Sequence, residues 1–208
     1  MIPFEVYTKF IQRLNKLGTN ANQNINYLMF SDLVNKAQLH WVAAQAKRPE
    51  LDGDIADNIQ QLLKEVSDAG VKKKNRYEIK LPDDYHSLLR VWSEPTECDG
   101  VVYGKRVEEG NLNTLLQGAF TRPSIAWEES LVTLSGGKIN VYIDGVLSKT
   151  YVRYYRLPKV FEIAGFTKAD GTASTDKDLE FEDVSAEEII DLASQLAARD
   201  IGDTKRAQ

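Results

Sequence analysis

The stretch KKKNRYEIKLPDDYHSLLRVW, residues 72–92, marks a change in the hydrophobic period of the chain. Up to Gly70, apolar residues recur at every third or fourth position, which predicts amphipathic helices. Beyond Gly70, Tyr77, Ile79 and Leu81 alternate with charged residues, which predicts a half-buried strand. This change of period indicates an α+β fold in which a helical layer precedes a β-rich region.

Three helices are predicted in the N-terminal layer, over residues 3–17, about 27–47 and about 54–69. The apolar face of the first helix is predicted to consist of Phe4, Tyr7, Ile11, Leu14 and Leu17. Gly70 follows the third helix, in the position where glycine commonly ends a helix.

An antiparallel β-rich middle is predicted over residues 71–165. Residues 131–143 form a predicted hairpin around the turn SGGK. Asp144 and Gly145 then predict a second tight hairpin, because a type I′ turn needs positive φ at both central positions. Residues 146–155 form the long strand that completes a predicted antiparallel meander.

The final segment is predicted to be helical again. Ser185 and Glu188 have the spacing of a capping box, which marks a helix start. We expect this C-terminal helix to pack back on the N-terminal helices. The predicted regions are the helical layer 1–70, the β-rich region 71–165, and an acidic loop, helix and tail over 166–208, with 71–208 not independent of 1–70.

Composition limits the functional classes. The chain has 208 residues, a formal net charge of −5 and a single cysteine, so no internal disulfide can form. A negative net charge argues against general nucleic-acid coating, which depends on neutralising phosphates. No apolar run approaches the length of a membrane span, and the N-terminus is amphipathic rather than signal-like. We therefore expect a soluble protein without a membrane partner.

Asp83, Asp84 and His86 are the candidates for a metal or acid–base site. At this spacing the three side chains do not converge without ligands from elsewhere, and the pattern is not a metal-site signature. Pro82 presets φ for a turn, and an aspartate accepts hydrogen bonds there. The sequence favours a turn, no catalytic residue, no metal and no cofactor, with a small metal-dependent hydrolase as the alternative.

Charge and aromatic patterning give a candidate subunit interface. Residues 72–80 are basic, whereas residues 170–191 are strongly acidic, so the two segments could complement each other between copies. Alternation places three residues of the long strand on one face, and Tyr and Arg are enriched at interfaces. The candidate interface residues are Lys72, Lys73, Lys74, Arg76, Tyr151, Arg153, Tyr155, Glu180, Glu182, Asp183 and Glu187.

Five segments occur in a fixed order: FSDLVNKAQLHWV, YEIKLPDDYHSLLRVW, FTRPSIAWEES, YVRYYRLPKV and EFEDVSAEEIIDLASQLAARD. In this order the sequence resembles the neck ring structural proteins of crAss-like and related Bacteroidetes phages. More loosely, it is similar to the head–tail adaptors of short-tailed phages, called tail tubular protein A. The resemblance covers roughly residues 5–200. It implies structural roles for Asn35, Gln38 and Trp41, and for Leu81-Pro82 and Asp84-Tyr85.

The resemblance implies a virion protein that is made in the host cytoplasm and has no catalytic function. Identical copies, usually twelve, would form a ring that joins the portal of the capsid to the tail. DNA would pass through this ring without sequence-specific binding, and the portal and other neck or tail proteins would be its partners. A soluble adaptor of a non-viral complex is the further alternative.

Overall fold

The computed structural model describes residues 1–17, 25–46, 58–181 and 183–206. The helices are α1 Pro3–Lys16, α2 Tyr27–Ala46, α3 Glu109–Gln117 and α4 Asp183–Arg206, with short 3-10 turns at Gln60–Leu62 and Ile125–Trp127. The strands are β1 Leu63–Asp68, β2 Val71–Lys73, β3 Arg76–Lys80, β4 Tyr85–Pro95, β5 Val102–Arg106, β6 Glu129–Ser135, β7 Lys138–Tyr142 and β8 Leu147–Arg156. The architecture is α+β, as predicted.

The chain forms two compact units. Met1–Gln61 and Pro158–Gln208 make up the helical unit, and Leu62–Leu157 make up the sheet unit. The sheet unit is thus inserted between two parts of the helical unit. Its first boundary lies at residue 62, eight residues before the predicted end of the helical layer at residue 70.

Aromatic side chains centre the core of the helical unit. The ring of Phe30, on α2, lies 5.1 Å from that of Phe10 and 5.6 Å from that of Phe161, and both Phe30 and Phe161 are fully buried. Helix α4 packs on α1 and α2, which confirms the predicted return of the C-terminal helix. No helix among the described ranges combines the length and apolar character needed to cross a bilayer.

The buried face of α1 differs from the predicted one. Val6, Phe10 and Leu14 point into the core, whereas Phe4 is 68% exposed and Leu17 is 52% exposed. The helix carries two apolar stripes offset by one position, and periodicity alone does not say which stripe meets α2. The contact between Phe10 and Phe30 decides the outcome.

Helix α4 begins earlier than the predicted capping box. The helix starts at Asp183, so Ser185 lies inside its first turn, where it is buried. The predicted start at Ser185 is therefore wrong. The apolar stripe is confirmed, since Ile189, Ile190 and Ala193 are fully buried.

The sheet unit consists of one eight-stranded sheet in the order β1-β8-β4-β5-β6-β7-β3-β2. Its core contains nine buried side chains: Tyr77, Ile79, Val91, Val132, Ile139, Val141, Leu147, Val152 and Tyr154. The backbone N–H of Leu147 on β8 donates a hydrogen bond to Oη of Tyr77 on β3, at 3.0 Å. Because β8 and β3 are far apart in the strand order, this bond shows that the sheet curls around its core.

The predicted third helix is wrong over Leu63–Asp68, which form β1. The strand pairs with β8 in antiparallel register, with Val66 opposite Val152. Long-range pairing overrides the local helical pattern here, because β8 has an edge that β1 completes. Residues 54–57, the start of the predicted helix, lie outside the described residues.

The sheet is mixed rather than purely antiparallel, because β5 and β6 run parallel. Parallel neighbours require a crossover connection, which usually contains a helix. Residues 107–128 provide this crossover and include α3, a helix that is absent from the predicted elements. The predicted antiparallel meander is therefore wrong at this pair.

The two predicted hairpins have different outcomes. Strands β6 and β7 pair around a turn in which Gly136 and Gly137 have φ of 58° and 71°, as a type I′ turn requires. By contrast, Asp144 and Gly145 link β7 to β8, and these strands are not neighbours in the sheet. Gly145 instead permits a close approach, because a Cβ there would lie 2.2 Å from Cδ1 of Ile125.

Candidate interaction surfaces

Asp84, which directly precedes β4, contacts two other strands of the sheet unit through its side chain. Its Oδ2 accepts a hydrogen bond from Nζ of Lys64 on β1 at 2.5 Å, and its Oδ1 accepts one from Oη of Tyr154 on β8 at 2.8 Å. Its backbone carbonyl accepts from the N–H of Leu157 at 2.7 Å. The hydrogen bond from Lys64 is the main cause that lowers the pKa of Asp84. Burial, followed by the hydrogen bond to Asp84, raises the pKa of Tyr154 to about 12.

The other two candidate metal ligands do not join Asp84. Asp83 is 94% exposed at its side chain and pairs with Lys80 at 3.3 Å. His86 lies at the start of β4, where burial lowers its pKa. In the part of the chain that the structure describes, no group of three or more His, Cys, Asp and Glu side chains is arranged to hold a metal ion. The contacts of Asp84 are those of a structural residue.

A second surface follows from the pairing of β4 with β8. Val91 and Val152 point into the core, so the alternate residues of both strands point outward. Trp92 and Tyr151 are opposite each other in the register, and their rings stack at 5.4 Å with an interplanar angle of 6°. Tyr103, on β5, is opposite Trp92 on its other side and is 51% exposed.

Cationic side chains lie over these outward rings. The guanidinium of Arg153 lies 5.2 Å from the Trp92 ring, and that of Arg90 lies 5.8 Å from the Tyr103 ring. Such cation–π contacts restrict long side chains, and Arg153 also donates from Nη2 to Oε2 of Glu65 on β1 at 2.7 Å. The aromatic face consists of Arg90, Trp92, Tyr103, Tyr151, Arg153 and Lys149, whose Nζ lies 5.0 Å from the centre of the Tyr151 ring.

The aromatic face extends the predicted interface. Tyr151 and Arg153 were predicted from alternation along β8, and both are half-buried on the outward side. Trp92, Tyr103 and Arg90 were missed, because strand register brings them together from separate segments. Alternation within residues 90–94 was the available signal, since it places Arg90 and Trp92 on the same side of one strand.

The predicted basic run forms the hairpin of β2 and β3 at the edge of the sheet. Nζ of Lys72 lies 5.6 Å from the centre of the Tyr77 ring. Arg76 donates to Oε1 of Glu78 at 2.7 Å from Nη2. The hydrogen bond from Lys138, followed by that from Arg76, lowers the pKa of Glu78 to about 2.

A cleft lies beside this hairpin, with a volume of about 470 Å³. Residues from the crossover and from the β7–β8 connection form its opposite wall. Its charged lining consists of Lys72, Lys73, Lys74, Arg76, Arg122 and Asp144, and these residues are called the basic cleft. Arg122 and Asp144 pair across 3.2 Å, and both side chains are more than half exposed.

The predicted acidic interface residues that the structure describes have partners within their own chain. Glu187, on α4, pairs with Lys9 at 2.6 Å and with Arg13. These contacts, that of Lys9 first, lower the pKa of Glu187. Glu180 accepts a hydrogen bond from the backbone N–H of Lys159 at 3.0 Å. Glu182 and the side chain of Asp183 lie outside the described residues.

The side chains that the resemblance singles out in α2 have structural contacts. Asn35 accepts a hydrogen bond from the backbone N–H of Phe161 at 2.8 Å and donates to its carbonyl at 2.9 Å. Gln38 donates to Oδ1 of Asn35 at 3.1 Å. Nε1 of Trp41 donates to Glu188 on α4 at 2.7 Å. These contacts tie α2 to segments that follow the sheet unit in sequence.

The sequence matches no protein-family model and no curated protein sequence.

Proposed function

We propose that this protein is a structural component of a phage neck, in which identical copies form a ring between portal and tail that surrounds the DNA channel. The five ordered segments support this reading, together with the α+β layout that the resemblance implies. The aromatic face is the observation of this structure that carries the proposal, because its composition is that of a subunit interface.

A closed ring requires two different faces of each subunit to meet. Interface cores are enriched in Trp, Tyr and Arg, and a few such residues supply most of the binding free energy. The aromatic face presents all three types on regular strands, where stacking already restricts Trp92, Tyr151 and Arg153. Less side-chain entropy is therefore lost when a partner docks.

The solution mass of the purified protein tests this proposal. Light scattering is measured on the protein alone and after mixing with the portal protein of the same phage. We expect a discrete assembly, about twelve subunits if a full ring forms, in at least one of these samples. A monomer in both samples would contradict the ring.

Variants connect the assembly to the aromatic face. Arg90→Ala with Tyr103→Ala removes two exposed side chains of this face and is expected to weaken assembly at least tenfold, since two interface anchors are lost. Phe4→Ala is the matched control, because Phe4 is an exposed aromatic residue of the helical unit. Equal assembly of the double variant and the control would refute the role of the aromatic face. A discrete assembly that forms alone and does not bind the portal would support a ring but favour the non-viral adaptor over the phage neck.

A further inference from the structure

The basic cleft concentrates positive charge in an acidic protein. Five cationic side chains and one carboxylate line it, whereas the whole chain has a formal net charge of −5. Lys73 and Lys74, at the tip of the hairpin, have no ion-pair partner among the described residues. A cluster of this kind attracts anions, because the repulsion between its like charges falls when an anion binds.

The cations approach the cleft from two sides. Four of them belong to the β2–β3 hairpin, and Arg122 belongs to the crossover that precedes β6. Lysines on an edge strand also prevent pairing with another sheet. That role explains Lys72 and Lys73 but not Arg122, which lies across the cleft. Cationic side chains therefore line the cleft from both sides.

The residue types favour phosphate over a protein surface. Lysine is depleted at protein interfaces, whereas phosphate contacts commonly come from Lys and Arg. Lys72 and Lys73 lie on β2, and Lys74 lies in the turn that follows, so three consecutive residues of the hairpin carry positive charge. A row of charges suits a repeating anion better than a single small one. The described acidic candidates, Glu180 and Glu187, already have partners within their own chain.

We propose that the basic cleft binds phosphate groups of double-stranded DNA, independently of base sequence. This inference deepens the proposed neck function by naming where a subunit meets the DNA that it surrounds. Arg122 reaches the phosphate when its pair with Asp144 opens, because both side chains are largely exposed. The lysines of the hairpin supply the remaining contacts as point charges.

The magnitude follows from counterion release. Each neutralised phosphate contributes a slope of about −0.9 to the logarithm of the binding constant against the logarithm of salt concentration. Arg76 is held by Glu78, so four contacts remain, from Lys72, Lys73, Lys74 and Arg122, and they predict a slope of about −4 for one subunit. Removing two lysines should reduce this slope by about 2 and weaken binding about tenfold or more at about 50 mM salt.

The test is fluorescence anisotropy with two unrelated labelled duplexes, over about 50 to 200 mM salt. Lys73→Gln with Lys74→Gln is compared with Lys16→Gln with Lys36→Gln, which removes the same charge from exposed positions of α1 and α2. Far-UV circular dichroism verifies that both double variants fold. We expect equal affinity for the two duplexes and a loss confined to the hairpin variant.

Asp144→Ser gives a test in the opposite direction. It removes the one carboxylate among the described lining residues of the cleft and frees Arg122, so DNA binding should become about threefold tighter or more. If the lysines of the edge strand only prevent aggregation, Asp144→Ser should leave DNA binding unchanged. Equal binding by the hairpin variant and its control, or no duplex binding by the unmodified protein, would overturn the proposal.

The solution mass of each variant separates this inference from the ring. A hairpin variant that assembles poorly but binds DNA normally would make the hairpin a subunit contact and overturn the DNA site. A protein that loses DNA binding with the hairpin lysines but never assembles would leave the site standing and refute the ring.

Discussion

Replacing Asn35 with alanine is expected to destabilise the helical unit. The Asn35 side chain makes two hydrogen bonds with the backbone of Phe161, one through its carbonyl oxygen and one through its amide nitrogen. Nδ2 also donates to the carbonyl of Ser31, and Oδ1 accepts from Gln38. Alanine removes all four interactions without changing the fold of α2, since alanine favours helix.

The magnitude depends on which groups lose their only partner. Phe161 is fully buried, so its N–H would be left without the acceptor that Asn35 provides. An unsatisfied buried group costs about 1–3 kcal/mol, and the buried amide of Gln38 loses its acceptor as well. We expect a total loss of about 2–4 kcal/mol. For a chain of this size that corresponds to a fall in Tm of about 4–16 °C.

Urea unfolding monitored by tryptophan fluorescence measures this loss. Trp41 belongs to the same unit and packs on Phe181, with ring centres 5.0 Å apart. Asn113→Ala, an exposed position of α3, is the control and should change stability by less than about 0.5 kcal/mol.

Asn35→Asp separates the two roles of the side chain, because aspartate keeps the acceptor for Phe161 N–H but faces its carbonyl with a charge. This variant should gain stability relative to Asn35→Ala as acid protonates the carboxyl. If Asn35→Ala lowers the free energy of unfolding by less than about 1 kcal/mol, with an unchanged m value, the four hydrogen bonds do not have the expected effect on stability.

Three further changes test individual contacts. The pKa of Glu162 is lowered to about 2, chiefly by hydrogen bonds from two lysines, so it stabilises the fold above about pH 4.5 and this contribution is lost as the pH falls toward 2. In Glu162→Gln, the midpoint of urea unfolding should therefore fall less steeply as the pH is lowered below about 4.5. An equally steep fall in the variant and the unmodified protein would contradict this role of Glu162. Tyr154→Phe should cost about 1.5 kcal/mol, because the hydrogen bond to the charged Asp84 is lost. The absorbance titration of Tyr154→Phe at alkaline pH should also lack the phenol group whose pKa is about 12. If the titrations of the variant and the unmodified protein are identical, Tyr154 is not that phenol. Gly145→Ala should cost about 1–3 kcal/mol in thermal unfolding, since φ is 140° and the new Cβ meets Cδ1 of Ile125. Adding Ile125→Val should restore part of the loss, and no restoration would show that backbone strain alone is responsible.

Several elements of this fold are predictable because their structure is set by residues that are close in sequence. The alternation of Tyr77, Ile79 and Leu81 after Gly70 correctly predicts β3, and the SGGK turn specifies the β6–β7 hairpin through its two glycines. Elements whose structure depends on pairing with a distant segment are not predictable in this way. Residues 63–68 have a helical pattern, yet they form β1 because β8 offers an edge for pairing.

The candidate surfaces likewise contain residues that are predictable within one strand and residues that only the pairing of strands brings together. Tyr151 and Arg153 are predictable, since alternation within one strand is a local property. Trp92 and Tyr103 join them only through the register of β4 with its two neighbours, which the sequence does not display. Arg122 likewise reaches the basic cleft through the parallel crossover, which local periodicity does not predict.

The insertion of the sheet unit has a mechanical consequence. The chain enters through β1 and leaves through β8, and the register pairs Leu63 with Tyr155, so both crossings lie at the same end of one ladder. Tension carried by the two crossings would peel this ladder open from that end, one hydrogen bond at a time, rather than load all its bonds at once. Asp84 binds Lys64 of β1 and the backbone of Leu157 at this very end. Asp84, one of the candidate metal ligands, therefore links the two chain crossings at the point where a pulling force would begin to separate the strands.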